Sequence, residues 1–293
     1  MANLKEVRTR ISSVTSTQQI TSAMKMVSAA KLRRAQDAII SLRPYALKLQ
    51  EILGNLSGSA DSSPKGFTIQ RDIKQVLIIA ISSNRGLCGP FNSNVMKLTN
   101  KLAKEKYKGH NVSVLSIGKK ADDYFKKTEL HIIGTDMPKR LHRLYDDLTY
   151  EKVSEVAQKV MDNFLLGDFD RVELVYNQFK NASVQILTNE QYLPILPAES
   201  SSETTVNADY IFEPTKEEIV EELIPKSLKV RLFKAILESH AAEHGARMTA
   251  MHKATDNAGE MLKELRITYN KARQASITNE IIEIVGGAQA LNN

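Results

Sequence analysis

Alternating steps of three and four residues from Leu4 land on Val7, Ile11, Val14, Gln18, Thr21, Lys25, Ser28, Leu32, Ala35, Ile39, Leu42, Ala46, Leu49, Leu53 and Leu56. Twelve of these sixteen positions are apolar, which predicts a helix over residues 1–56 with a seam for a partner helix. The four polar positions, Gln18, Thr21, Lys25 and Ser28, are consecutive along the seam. Beside them run Ile20, Ala23, Met24 and Val27, so the apolar stripe is expected to step sideways there and face a different neighbour. Pro44 removes one helical hydrogen bond and is expected to kink or loosen the helix near residue 40.

The period then changes. SGSADSSPKG (57–66) has loop chemistry. QVLIIAIS (75–82) is apolar and β-branched throughout, as in a strand buried on both faces. NVSVLSIG (111–118) and ELHIIG (129–134) read as further strands. RVELVYNQF (171–179) and VQILTNEQYLPI (184–195) read as a strand pair. Helical stretches lie between them at 93–107, 119–127 and 148–165. Strand and helix in alternation predict a small, Rossmann-like α/β domain over 70–213 with a mostly parallel sheet.

PAESSSETTVN (197–207) reads as a loop and Thr215 as a helix cap, with a short helix expected to end before Pro225. From Ser227 onward a second long helix is predicted, and sixty helical residues span about 90 Å. A compact domain of this size is only about 40 Å across. Ala242, Ala246, Ala250, Ala254 and Ala258 recur every fourth residue, a row of small side chains that lets a partner come close; the first helix is the expected partner. The fold class is therefore α/β: a long antiparallel coiled coil of the N- and C-terminal helices (1–56 packed with 214–293), plus the α/β lobe. The chain ends on an apolar run, Ile281, Ile282, Ile284 and Val285, before Gly286-Gly287.

Charge sharpens the picture. Residues 1–50 carry nine Lys/Arg and two acids, a surplus of seven. The whole chain is +6, so the other 243 residues sum to −1. The surplus belongs to the first helix and suggests a partner surface. No run of eighteen apolar residues occurs, so no direct membrane span is expected. Residues 1–20 show neither a secretory signal nor the pattern of a transit peptide. Cys88 is the single cysteine, which excludes an internal disulfide and suits a reducing compartment.

Candidate chemistry is sparse. Gly86 and Gly89 in SSNRGLCGPFNSN match neither a phosphate loop nor a dinucleotide turn, so no cofactor is expected. Cys88 at a helix start invites a nucleophile reading, but a small buried residue in a tight turn is the expectation. His240, Glu243 and His244 form an HxxEH pattern; a third zinc ligand is missing and His252 lies too far along the helix. Nucleic-acid binding through the basic helix lacks aromatic interleaving and a reading motif, and no nucleic-acid partner is expected. A nucleotide-dependent enzyme remains a minor alternative, to be tested by nucleotide binding.

TQQITSAMKMVSAAKLRRAQ (17–36), SNRGLCGPFN (83–92), ARMTAMHKATDNA (246–258) and ITNEIIEIVGGAQAL (277–291) together resemble the gamma subunit family of F-type ATP synthases over essentially the whole chain. That family's central motif usually carries aspartate where Asn84 stands. The resemblance implies a central rotor shaft coupling rotation of the membrane c-ring to ATP synthesis or hydrolysis on the beta subunits, without catalytic residues of its own. Implied partners are the alpha3-beta3 ring, the epsilon subunit and the c-ring. The implied location is peripheral, on the cytoplasmic face of the bacterial inner membrane. Lys25, Lys31, Arg33 and Arg34 would act on an acidic loop of beta. Arg273, Gln274, Thr278 and Glu280 would make catch-like contacts, Met24 and Arg247 a functional pair, and the apolar tip would enter a protein sleeve.

Overall fold

The computed structural model describes residues 4–57, 66–132, 137–195 and 216–291. The loop expected at 197–207 and the cap expected at Thr215 lie outside the described residues. The elements are α1 (Leu4–Ser57), β1 (Gln75–Ile81), α2 (Phe91–Lys101) continued by a π-helical turn (Leu102–Lys106), β2 (Asn111–Ile117), α3 (Lys119–Phe125), α4 (Tyr150–Leu166), β3 (Arg171–Phe179), β4 (Gln185–Leu193) and α5 (Lys216–Leu291). The chain divides into two compact units. One comprises residues 1–28 with 247–293, the other residues 29–246.

In the larger unit four strands lie in the order β2-β1-β3-β4. β1 pairs parallel with β2 and β3, and β3 pairs antiparallel with β4. β1 is buried on both faces because its side chains alternate between two cores. Leu77, Ile79 and Ile81 join α4 and the Leu228, Leu232 and Ile236 row of α5. Val76, Ile78 and Ala80 join Val95 of α2 and Ala121 and Phe125 of α3. The third strand expected at 129–134 is reduced, among the described residues, to one bridge between His131 and Val114; residues 133 and 134 are outside them.

Both prolines sit inside unbroken helices. α1 runs through Pro44 and α5 runs through Pro225, so no helix ends before Pro225 as the sequence led one to expect. A proline deletes one hydrogen bond, at a cost of about 3 kcal/mol. Downstream, α5 seats Leu228, Leu232, Ala235 and Ile236 in the sheet's core, each worth roughly 1–3 kcal/mol. The packing outweighs the break. Tyr192 Oη donates to Leu228 O at 2.9 Å, and Arg231 donates to Gln191 O at 2.8 Å, fixing α5 to β4.

In the smaller unit α1 and α5 run antiparallel. As numbers rise along α1 through Arg8, Gln18, Thr21 and Lys25, their neighbours fall along α5 through Tyr269, Gly259, Thr255 and His252. Leu262 and Ala258 are buried on the α5 side and Val7 on the α1 side.

Candidate functional site

The candidate surface is the pair of terminal helices. Its seam corrects one sequence expectation. The stripe does not step sideways. Thr21 is 9% exposed and Ser28 3%, whereas Ile20 is 60% exposed and Val27 58%. The seam keeps its strict heptad and carries polar side chains across one stretch. Two of those side chains, Thr21 and Lys25, are paired across the seam. Thr255 Oγ1 lies 2.8 Å from Thr21 Oγ1, and Lys25 Nζ lies 3.4 Å from His252 Nδ1. A Cβ on Gly259 would stand 3.1 Å from Gln18 Nε2, so the amide of Gln18 covers the glycine. His252 Nδ1 also lies 3.3 Å from Asp256 Oδ2. One ring nitrogen cannot both accept from Lys25 and donate to Asp256 at once, so the two contacts call for different hydrogen positions on the ring. The apolar residues displaced from the seam remain on the surface: Ile20, Met26 and Val27 are exposed.

The expected contact residues are distributed as follows. Met24 and Lys25 are half-buried, and Arg33 and Arg34 are exposed on α1. Arg247 is buried on α5, about a turn and a half from His252, the residue that faces Lys25. Arg273, Gln274, Thr278 and Glu280 are all exposed near the end of α5. Thr278 Oγ1 donates to Gln274 O at 2.9 Å, and Ser276 Oγ lies 3.4 Å from Glu280 Oε1. Ile277 among them, and Ile281, Ile282, Ile284 and Val285 beyond them, are exposed, Ile284 at 71%.

The motif at 83–92 builds a turn. Ser83 N donates to Asn92 Oδ1 at 3.0 Å, and Asn92 Nδ2 reaches Ser83 Oγ at 2.8 Å and Cys88 Sγ at 3.2 Å. Leu87 and Gly89 take positive φ, 62° and 59°. Cys88 and Phe91 are thereby pressed onto Ala242 and Ala246 of α5, with Phe179 alongside. The first two members of the alanine row thus receive the lobe's own turn, where the first helix was expected. Gly245, between them, takes the β3–β4 turn: a Cβ there would stand 3.1 Å from Ala182 O. Asn84 Nδ2 donates to His142 O at 2.7 Å, and Asn84 Oδ1 accepts from Lys119 N at 3.1 Å. An aspartate there would lose the first of these bonds.

His240 and His244 face each other at 3.1 Å, with the Tyr145 ring stacked on His240 at 5.6 Å between centroids. Among the described residues no group of three or more His, Cys, Asp or Glu side chains is arranged to hold a metal ion. Among them, too, no helix is long and apolar enough to cross a membrane.

One cluster had no clear signal in the sequence. Glu173, wholly buried on β3, receives Lys106 Nζ at 2.5 Å, Tyr107 Oη, Arg171 Nε at 3.2 Å and Asn189 Nδ2 at 2.9 Å. The π-helical turn after α2 brings Lys106 and Tyr107 onto it. Burial would push the Glu173 carboxyl up, but the hydrogen bonds from Lys106, Tyr107 and Asn189 outweigh it and hold the carboxyl below its usual range. A glutamate alternating with apolar neighbours in RVELV was the only available hint.

Residues 3–291 match the family model described as ATP synthase. The gamma chain of ATP synthase from Flavobacterium psychrophilum is 58% identical over 292 residues, covering 99% of both chains. This chain belongs to the ATP synthase gamma chain family. The Flavobacterium johnsoniae gamma chain is 57% identical with full coverage of both. Among solved structures, the rotor of Euglena gracilis mitochondrial ATP synthase matches with a TM-score of 0.63 at 21% identity, covering 94% of this chain and 98% of that one. A chain of the OSCP/F1/c-ring assembly of the same enzyme matches at 0.65, with 21% identity and 98% and 94% coverage. At that identity the likeness concerns the fold: in the gamma chain family, long terminal helices accompany a small, mostly parallel sheet.

Proposed function

We propose that this chain is the central rotor shaft of an F-type ATP synthase. It couples rotation of a membrane c-ring to ATP synthesis and hydrolysis on the beta subunits, and so regulates ATPase activity and proton flow. It carries no catalytic residue; the phosphoryl chemistry belongs to beta. The observation that supports this most directly is the exposed apolar end of α5. Ile281, Ile282, Ile284 and Val285 all lie more than half exposed on a continuous helix. Burying one such side chain completely is worth about 1.5–3 kcal/mol, which marks a surface meant for cover.

The division we infer is a terminal coiled coil, 1–56 with 214–293, entering the alpha3-beta3 ring, and a lobe, 70–213, meeting epsilon and the c-ring. The location is peripheral, on the cytoplasmic face of the bacterial inner membrane. One helix pair cannot present the same face to three surrounding beta subunits. Each subunit meets different contacts, and only differential contact energy shifts a conformational equilibrium. Lys25, Arg33 and Arg34 press on beta, while Arg273, Gln274, Thr278 and Glu280 act as catches. Met24 and Arg247 form the functional pair carried over from the family. Solvated ion pairs contribute about 0–1 kcal/mol each, so such contacts can part at every step.

The test is twofold. The chain should co-purify with one-third as many copies as alpha or beta. Arg273→Ala with Glu280→Ala should lower coupled ATP turnover of the assembled complex and leave the fold intact. Unchanged turnover in a correctly assembled complex refutes the catch assignment.

A further inference from the structure

Lys25, His252 and Asp256 form a closed set in the smaller unit. Lys25 occupies a seam position of α1 and is half-buried. Its Nζ lies 3.4 Å from His252 Nδ1 on α5, and its side chain has no other hydrogen-bond or ion-pair partner among the described residues. The same Nδ1 lies 3.3 Å from Oδ2 of Asp256, one turn further along α5, and the Asp256 carboxylate likewise has no second partner among them. The charged groups that face the ring are therefore Lys25 from α1 and Asp256 from α5 itself. Thr21 and Thr255, the next pair along the seam, bond to each other at 2.8 Å and carry no charge. The His252 and Asp256 side chains are 57% and 60% exposed, so the ring exchanges protons with solvent.

One ring nitrogen thus chooses between two neighbours. A neutral ring with its hydrogen on Nε2 offers a lone pair at Nδ1, and the Lys25 ammonium donates to it. A neutral ring with its hydrogen on Nδ1 donates to Asp256 instead. A protonated ring carries hydrogen on both nitrogens, so only the second arrangement survives, and the imidazolium repels the neighbouring ammonium. Histidine is the side chain whose charge changes between about pH 5 and 8. We propose that protonation of His252 commits its ring to Asp256 and releases Lys25 from α5. Above the transition Lys25 is tethered to its own helix pair. Below it the ammonium is free to meet an acidic group of a partner. The Asp256 carboxylate favours the protonated ring and the Lys25 ammonium opposes it, so removing the carboxylate moves the transition to lower pH. What Lys25 does once released rests on the rotor reading; the release itself does not.

The test labels the full-length chain with limiting N-hydroxysuccinimidyl acetate between pH 5.5 and pH 8 and reads lysine acetylation by mass spectrometry. Lys31, exposed on α1 and without a side-chain partner among the described residues, is the internal reference for amine reactivity. The ratio of Lys25 to Lys31 labelling should rise about two- to fourfold from pH 8 to pH 5.5. In His252→Ala the ratio should hold its high value throughout. In Asp256→Asn the midpoint should move down by about half a pH unit. A flat ratio in the unaltered chain overturns the proposal. So does a pH response that persists in His252→Ala, or a midpoint that stays or rises in Asp256→Asn. In the assembled complex, ATP turnover of His252→Ala relative to the unaltered chain should differ from one at pH 8 and approach one at pH 6. If labelling behaves as stated and this turnover ratio is constant with pH, the release stands and the assignment of Lys25 to beta falls.

Discussion

Two glutamates show how little residue type says about a buried charge. Glu173 is met by four donors and both its oxygens are satisfied. Its folded carboxyl ionises more readily than in an unfolded chain, where about 4.3 is usual. The stability it adds is therefore fully present above that value and fades as pH falls through the folded one. Glu238 of α5 is also buried, but its Oε2 has no partner and Lys234 lies 3.9 Å away. Burial pushes this carboxyl up. Its ionised form opposes folding at neutral pH, and that penalty shrinks as pH falls toward the unfolded value. Urea denaturation at pH 7.5 should thus find Glu173→Gln destabilised by about 2–4 kcal/mol and Glu238→Gln stabilised by about 1 kcal/mol. The Glu238 difference should have largely gone by pH 4.5. Equal signs at pH 7.5 would contradict this account. Backbone demands are as local: at Gly118, φ is 100° and an added Cβ would fall 2.2 Å from Ser82 O. Gly118→Ala should cost about 3 kcal/mol or more, measured in the same denaturation series.

At the scale of elements, periodicity carried most of the legible information. β1 was readable because a strand buried on both faces has no polar positions, and the heptad of α1 because its spacing survives four polar substitutions. What the heptad could not reveal is that a polar pair can occupy a seam. Thr21 with Thr255, and Lys25 with His252, satisfy each other only when both helices are present, and no single-chain pattern displays the partner. Polar side chains at seam positions lower stability but fix register. The prediction separates the two readings. Leu262→Ala, in the seam and 6% exposed, should cost about 2–4 kcal/mol. Ile20→Ala and Val27→Ala, which a displaced stripe would bury, should change stability by about 0.5 kcal/mol or less. Thermal melts of the three variants decide between them. Pro225 misled for a related reason: a local breaker was read without the leucine row that carries the helix through it.

At the scale of the whole molecule, the candidate site is an outward-facing surface rather than a pocket with chemistry, so motif spacing could not outline it. Its residues became recognisable through the resemblance of four sequence stretches to one family; Arg33, Arg34, Arg273, Gln274, Thr278 and Glu280 are exposed, whereas Met24 and Lys25 are half-buried and Arg247 is buried. The apolar end of α5 leaves Ile281, Ile282, Ile284 and Val285 more than half exposed, so its composition answers to cover from outside. Replacing Ile281 and Ile284 with serine should therefore leave the melting temperature of the isolated chain unchanged, since no core contact is lost. It should also raise the concentration at which the isolated chain self-associates in light scattering, because two large exposed apolar groups have gone. In the assembled complex the same change should weaken retention on dilution, because each of these side chains can contribute about 1.5–3 kcal/mol only where a sleeve covers it. A melting temperature that falls with the substitution would mean that the tip is covered by its own chain, and the reason for assigning it to a partner would be gone.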